Sequence, residues 1–395
     1  MIFLSRTLSN NLTCYNNEKN ISIKPYKKNE VEIVLRGHCG THVDFPLHFI
    51  KDGKTLKDYT ADDFIFKNVS ITPYPTMEDL PGESDFIILK TDQQRDPLNN
   101  IGLDEKTAKF FVEKFSNLQG IGIDSISING YKDKEEGRKA HKILLNANIL
   151  IVEDMDLSAL SVPVKKLIVA PLQVEYADGV PVTVMAETGY DAIFFDWDGV
   201  ITDSVNIKTD AFVDMFASYG KDVQERVKSH HLQNGGMSRF EKFKLYYKEF
   251  LGIDIDEKKV QELALEFSEL VMKKIIAAEY IDGALETIKA EHKKGTKLFV
   301  VTGTPTEEMK EIARKKGIYS FFTEFCGSPV KKDEHAANLL KKYNLKPQYC
   351  LFIGDALSDY NAAKVNRINF LGIKIPGSQT IFPDGIKIKN RVEIV

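Results

Sequence analysis

Residues 190–204 read Tyr190-Asp191-Ala192-Ile193-Phe194-Phe195-Asp196-Trp197-Asp198-Gly199-Val200-Ile201-Thr202-Asp203-Ser204. A short apolar run stops abruptly at acidic residues and a glycine, the pattern of a buried strand that runs into a loop. Residues 205–285 then carry almost unbroken helical patterns. In VQELALEFSELVMKKI, for instance, Val260, Leu263, Ala264, Phe267, Leu270 and Val271 follow helical spacing. After residue 296 strand and helix alternate: KLFVVTG then TEEMKEIARKKG, CLFIGD then SDYNAAKVN. That alternation predicts a parallel, doubly wound α/β sheet, with the helical block inserted behind its first strand as a potential lid.

Upstream the rhythm differs. VEIVLRG, DFIILKT, GIGIDSI, NILIVED, KKLIVAP and VPVTVMA are short β-branched runs edged by glycine, proline or charge. EKTAKFFVEKFSNL places Ala108, Phe111, Val112 and Phe115 on one helical face. The reading is two domains. Residues 1–188 form a mixed α/β domain of mainly sheet character. Residues 189–395 form a Rossmann-like domain with its core at 189–204 and 286–395 and a helical insertion at 205–285.

Bulk composition narrows the function classes. Hydrophobic residues make up 43% and charged residues 28%, which fits a globular protein and not a disordered one. The formal net charge of −4 gives no electrostatic reason to expect nucleic acid as a partner. No apolar run approaches the ~18 residues of a membrane span, and MIFLSRTLSNNL lacks the features of a secretory signal. Cys14, Cys39, Cys326 and Cys350 form no C-x-x-C pair, which argues against disulfides and thiolate zinc sites. A cytoplasmic protein is expected.

In open parallel sheets ligands bind beyond the carboxyl ends of the strands. There stand Asp196 and Asp198, then Thr302, then Asp355 with Asp359 four residues on, and Lys331 and Lys332 occupy an intervening loop. Crowded carboxylates repel unless a cation holds them, and Mg²⁺ is the hard, oxygen-seeking choice. A carboxylate beside Mg²⁺ can attack phosphorus. FFDWDGVITDS, VVTGT, GSPVKK and IGDALSD resemble, in order, the four motifs of the haloacid-dehalogenase superfamily. The resemblance implies Asp196 as nucleophile, Asp198 as the acid and then base, and Thr302 and Lys332 on the phosphoryl group, with Lys331 as the rival lysine. It also implies a magnesium site of Asp196, Asp198, Asp355 and Asp359. The insertion looks like the small helical cap of the β-phosphoglucomutase and phosphoglycolate phosphatase branch. Within its HHLQNGGMSRFEKF segment, Arg239 and Lys242 are the substrate-binding candidates.

The densest chemistry upstream is His38-Cys39-Gly40-Thr41-His42-Val43-Asp44-Phe45-Pro46-Leu47-His48. In an extended chain His38, His42 and Asp44 project from one face, a donor set suited to Zn²⁺ or Mn²⁺, while Cys39 turns away to be buried. The stretch resembles the H-x-G-T-H-x-D-x-P-x-H-F signature of the cyclase family of kynurenine formamidase-like hydrolases. LSRTLSNNLTCY, AHKILLNANILIVEDM and DGVPVTVMA look like further family segments. The resemblance implies metal ligands His38, His42, Asp44, His141 and Glu153, with His48 as the acid/base toward a metal-activated water that cleaves amide or lactam bonds. By the same resemblance, Tyr15 stands where kynurenine formamidase uses a tryptophan against its substrate, and Thr183 where an arginine is usual. Both departures put kynurenine chemistry in doubt.

The combined expectation is a bifunctional hydrolase. One half is a Mg²⁺-dependent phosphatase acting on a small phosphorylated metabolite such as a sugar phosphate, and the other a metal-dependent amide or lactam hydrolase. Two alternatives stay open. The C-terminal half could be a phosphomutase, and the N-terminal half a non-catalytic, metal-stabilised oligomerisation or binding module. Analogy with the cyclase family points to a homodimer.

Overall fold

Every strand run singled out in the sequence forms a strand. The computed structural model describes residues 1–76, 80–234, 237–374 and 381–394, and the chain divides into two units, Met1–Gly189 and Tyr190–Val395.

In the first unit the strands are β1 (Ile2–Phe3), β2 (Ile21–Lys27), β3 (Glu30–Leu35), β4 (His42–Asp44), β5 (Ile65–Phe66), β6 (Val69–Pro73), β7 (Phe86–Lys90), β8 (Gly120–Ile123), β9 (Leu150–Glu153), β10 (Val164–Pro171) and β11 (Gly179–Thr188). Two helices, α1 (Glu105–Lys114) and α2 (Lys134–Asn146), follow β7 and β8. β2 and β3 make a separate hairpin, and the other strands form one mixed sheet in the order β5-β10-β11-β4-β9-β8-β7-β6, with β1 beside β11. β10 also lies against β6, so the sheet curls almost into a barrel. Side chains alternate across it with period two. Phe86 and Ile88 of β7 face an inner core with Val43, Phe45, Val152 and Val184. Ile87 and Leu89 face α1 and α2 through Ala108, Phe111, Ala140 and Leu144.

The second unit is built on β12 (Ala192–Phe195), β13 (Lys297–Pro305), β14 (Glu324–Ser328), β15 (Cys350–Gly354), β16 (Asn369–Ile373) and β17 (Ile388–Lys389). All pair in parallel in the order β14-β13-β12-β15-β16-β17. β12 is therefore flanked by β13 and β15, and the three strand ends that carry polar residues are neighbours. Its four residues are wholly buried, because parallel strands are covered on both faces. Between β12 and β13 lie α3 (Val205–Met215), α4 (Lys221–Gln233), α5 (Arg239–Leu245), which runs on as a π-helical turn to Leu251, and α6 (Glu257–Ala277). Their apolar faces meet in Phe212, Phe216, Phe243, Tyr246 and Phe267, so the insertion has a core of its own. α7 (Ala284–Lys293), α8 (Thr306–Lys315), α9 (Lys332–Lys342) and α10 (Leu357–Val365) complete the alternation. Among the described residues no helix is long and apolar enough to cross a membrane.

Candidate active sites

In the first unit the donors converge where β4 meets β9 and β11. His42 stands opposite Glu153, and Asp44 opposite Gly179. His42 Nε2 lies 3.3 Å from Glu153 Oε2 and 3.5 Å from Asp44 Oδ1. His141, from α2, places Nε2 3.2 Å from Glu153 Oε1 and 3.4 Å from Asp44 Oδ2. The other nitrogen of each ring is already committed: His42 Nδ1–H donates to the Gly40 carbonyl at 2.9 Å and His141 Nδ1–H to that of Gly137 at 2.8 Å. Backbone acceptors thus select the tautomer whose Nε2 faces the carboxylates, the arrangement that metal-binding histidines use. Glu153 is aimed by Ser127 Oγ (2.9 Å) and the Ile128 amide (2.6 Å), both donating to Oε1.

All four of these side chains are buried, and Asp44 Oδ2 has no hydrogen-bond partner. Burial alone would neutralise the two acids. Instead, the neighbouring imidazoles of His141 and His38 hold Asp44 well below the carboxylate range, and those of His141 and His42 hold Glu153 down at about 2. Burial opposes charge on His141 too, but Asp44 and Glu153 push it up to about 10. Paired buried carboxylates demand positive charge, and the inward Nε2 atoms with an orphaned carboxylate oxygen are a donor set that fits a Zn²⁺- or Mn²⁺-sized cation.

His38 arrives differently from the extended reading. Residues 37–41 are a bend with Gly40 in the left-handed region (φ 61°), and β4 begins only at His42. The ring nonetheless reaches Asp44, with Nδ1 2.8 Å from Oδ1. It lies so close over β11 that a Cβ on Gly179 would sit 2.3 Å from the ring, which leaves glycine as the residue that fits. His48, in the 3-10 turn Pro46–His48, stacks on His38 with centroids 4.1 Å apart. One group of possible ligand atoms joins His38, Asp44 and His48, another His42, Asp44 and Glu153, each within 4.8 Å. The Tyr15 hydroxyl is buried without a hydrogen-bond partner, and burial together with the charge of Glu153 raises its pKa. Thr183 is exposed on β11, and Cys39 packs with Cys14 and Ile21 in a small apolar cluster. Asp178 was not anticipated from sequence. Its Oδ2 lies 2.9 Å from His48 Nδ1 and 3.2 Å from His38 Nε2.

In the second unit Asp196 leaves the end of β12 and Asp355 the end of β15. With Asp359 from the first turn of α10 they bring ligand oxygens within 4.8 Å of one another. Lys332, buried at the start of α9, bridges Asp196 Oδ2 (2.8 Å) and Asp359 Oδ1 (2.7 Å), whereas Lys331 is exposed. Gly199 adopts φ 73°, and a Cβ there would sit 2.1 Å from Asp355 Oδ2, so the loop after β12 needs glycine to let that carboxylate in. Burial, and then repulsion from Asp359 and Asp198 against the pull of Lys332, pushes Asp196 up to about 7. Burial and its acidic neighbours push Asp355 well above the usual range. Three crowded carboxylates, with Asp196 and Asp355 pushed toward the neutral form, fit a hard divalent cation such as Mg²⁺.

Asp198 lies outside that trio. Ser204 Oγ donates to its Oδ1 at 2.6 Å, and Lys208, from the first turn of α3, pairs with Oδ2 and donates to Thr304 Oγ1 at 2.7 Å. Thr302 is buried on β13 beside this cluster, with its hydroxyl accepting from the Thr304 amide. Lys208 and Thr304 were not singled out from sequence, although a lysine one turn into a helix that follows an acidic loop is a readable signal.

Arg239 and Lys242 both reach this centre, in different states. Together with Asp196, Asp198, Lys208 and His231 they line a small cavity of about 30 Å³. The guanidinium of Arg239 is bound by Glu308 of α8 and Ser268 of α6, so its charge is spent. Lys242 is 1% exposed and donates to His231 Nδ1 at 3.0 Å. No carboxylate lies within ion-pair distance among the described residues. Burial and then Lys208 drive its pKa down to about 7. Gly235 and Gly236 of the same segment lie outside the described residues. A second cavity of about 470 Å³, lined by Thr302, Gly303, Ser328, Lys332, Ser358 and Asn361, adjoins the first.

Residues 190–366 match the family model of haloacid dehalogenase-like hydrolase, and residues 2–130 match that of the Cyclase family. His38, His42, Asp44 and His48 fall inside the second match, and His141, Glu153 and Asp178 beyond it. A phosphoglycolate phosphatase of Vibrio vulnificus is 33% identical over 84 residues, 20% of this chain and 37% of that protein, so the chain spans little more than a third of that relative's length. A kynurenine formamidase of Bacillus cereus is 28% identical over 200 residues, 46% of this chain and 94% of that protein. A solved structure described as a potential metal-dependent hydrolase with cyclase activity is 23% identical, with a TM-score of 0.39, over 47% of this chain and 96% of that one.

Proposed function

We propose that the chain is a bifunctional hydrolase, with a Mg²⁺-dependent phosphatase in residues 189–395 and a metal-dependent amide or lactam hydrolase in residues 1–188. The observation that carries the first half is Asp196 at the end of the central strand with the Lys332 ammonium 2.8 Å from its Oδ2. The Asp196 carboxylate attacks phosphorus and the bond to the leaving oxygen breaks, giving an aspartyl-phosphate. Thr302 and Lys332 hold the phosphoryl oxygens. Asp198, fixed by Ser204 and Lys208, passes a proton to the leaving oxygen and recovers one from the water that then releases phosphate. Asp196, Asp355 and Asp359, with Asp198 as a further candidate ligand, would hold Mg²⁺, which would supply charge neutralisation for the transferring group.

The substrate is a small phosphate ester. The phosphoglycolate phosphatase relative and the unpaired Lys242 support a leaving group with an anionic end, in place of a neutral sugar. The 30 Å³ cavity supports a short one.

In the first half, a cation held by His38, His42, Asp44, His141 and Glu153 would polarise a carbonyl and lower the pKa of water. His48 moves the proton between that water and the leaving nitrogen, and Tyr15 offers a hydroxyl to the substrate.

Phosphate release from a panel of phosphorylated acids and sugars, with and without Mg²⁺, tests the phosphatase. Turnover that Asp196→Asn abolishes supports it, and turnover that survives the substitution refutes the nucleophile. Hydrolysis of formanilide and isatin by Zn²⁺- or Mn²⁺-loaded protein tests the amidase. Loss with His48→Ala is expected, and equal rates with that variant would leave the first domain a binding module.

A further inference from the structure

We propose that Asp178 is the positioning residue of the His48 acid/base. The inference rests on the amide-hydrolase reading of the first unit. Asp178 precedes β11, far in sequence from the histidine motif, yet its Oδ2 accepts from His48 Nδ1–H at 2.9 Å. The backbone fixes it there. Its carbonyl accepts from the Phe45 amide at 2.9 Å, which ties it to the loop that carries His48, and Gly179 behind it pairs with Asp44.

The imidazole is partly exposed and packs against three other rings. His38 stacks on one face, Phe49 meets the ring at 87° with centroids 4.6 Å apart, and His141 lies 6.0 Å away. Among the described residues the carboxylate of Asp178 is the hydrogen-bond partner of this ring, and it decides which ring nitrogen carries the proton. With Nδ1–H given to Asp178, Nε2 is the nitrogen free to react. In the reaction, Nε2 takes a proton from water as the water oxygen bonds to the carbonyl carbon. It returns that proton to the nitrogen as the carbon–nitrogen bond breaks. In between, the imidazolium keeps its Nδ1–H on Asp178, which stabilises the charge without taking the proton.

The same oxygen lies 3.2 Å from His38 Nε2, so a support for the metal ligand His38 is the competing role. The two roles separate experimentally. Full-length protein labelled with ¹⁵N in its histidines reports the His48 tautomer from its ring-nitrogen shifts, assigned with His48→Gln. Metal content by mass spectrometry reports the ligand role. Hydrolysis of formanilide and isatin reports kcat and KM.

In wild type the Nδ1–H form of His48 is expected. In Asp178→Asn that preference should be lost, with kcat down about 10²-fold, KM and bound metal little changed, and partial recovery in Asp178→Glu. An unchanged His48 tautomer in Asp178→Asn overturns the proposal whatever the rates do. Loss of bound metal in proportion to activity also overturns it, in favour of the His38 role. If wild type cleaves neither probe, the amide-hydrolase reading is what has failed for these bonds, and the nitrogen shifts still decide the placement of His48.

Discussion

Glu308 grips the guanidinium of Arg239 with both carboxylate oxygens, Nη1 to Oε2 at 3.0 Å and Nη2 to Oε1 at 2.8 Å, at a site where the side chains are 9% and 4% exposed. The pair joins α5 of the helical insertion to α8 of the sheet core. A cation that sequence offers as a substrate ligand thus lines the cavity with its charge already paired within its own unit.

Glu308→Ala should leave a buried, unpaired guanidinium and destabilise the second unit by about 3–5 kcal/mol. Replacing both partners by Arg239→Met and Glu308→Leu should recover most of that loss. Urea denaturation checks both variants, and equal midpoints for wild type and Glu308→Ala would show that the pair contributes nothing.

Lys242→Met should separate binding from stability. Loss of the cation should raise KM for phosphorylated acids about tenfold to a hundredfold, with a smaller effect on neutral sugar phosphates. Initial rates on paired substrates of similar size give the comparison.

The same residue sets a pH dependence. The native Lys242 loses its proton near 7, with burial as the main cause, against an ordinary value of 10.5. Between those values the unfolded chain binds more protons than the native one, so this residue makes stability rise with pH across that window. Its penalty is full below pH 7 and gone above about 10.5. Denaturation midpoints of wild type minus Lys242→Met should therefore climb from pH 7 to pH 9.5, and a flat difference would contradict the buried unpaired amine.

Gly179→Ala drives a methyl group into the His38 ring, 2.3 Å from its nearest atom. Metal affinity of the first unit should fall at least about tenfold, while phosphate release by the second unit is unchanged. Equilibrium dialysis against Zn²⁺ and the phosphatase assay, on the same preparation, test both statements.

The sheet of the second unit was readable because apolar runs and polar strand ends recur in a fixed order, and because β12 is covered on both faces. The choice of Lys332 over its rival Lys331 rests on resemblance alone, not on any physical difference in the sequence. Adjacent lysines look alike until α9 begins at Lys332 and buries one of them. The histidine motif announced the first site, but its geometry comes from a bend at Gly40 that simple alternation cannot foresee. Asp178 stayed hidden because an acid before a glycine reads as an ordinary turn, and only strand pairing brings it to His48. The state of Arg239 was hidden for the same kind of reason, since its partner sits 69 residues downstream.

Asp44 is common to both groups of possible ligands in the first unit. Its two oxygens face different histidines, Oδ1 toward His38 and Oδ2 toward His141. Substitutions of those histidines act on one shared carboxylate, so their free energies will not add. A double-mutant cycle on His38 and His141 should return a coupling energy of about 0.5–3 kcal/mol in metal binding, although the two rings hold opposite oxygens and no contact between them is needed to produce it.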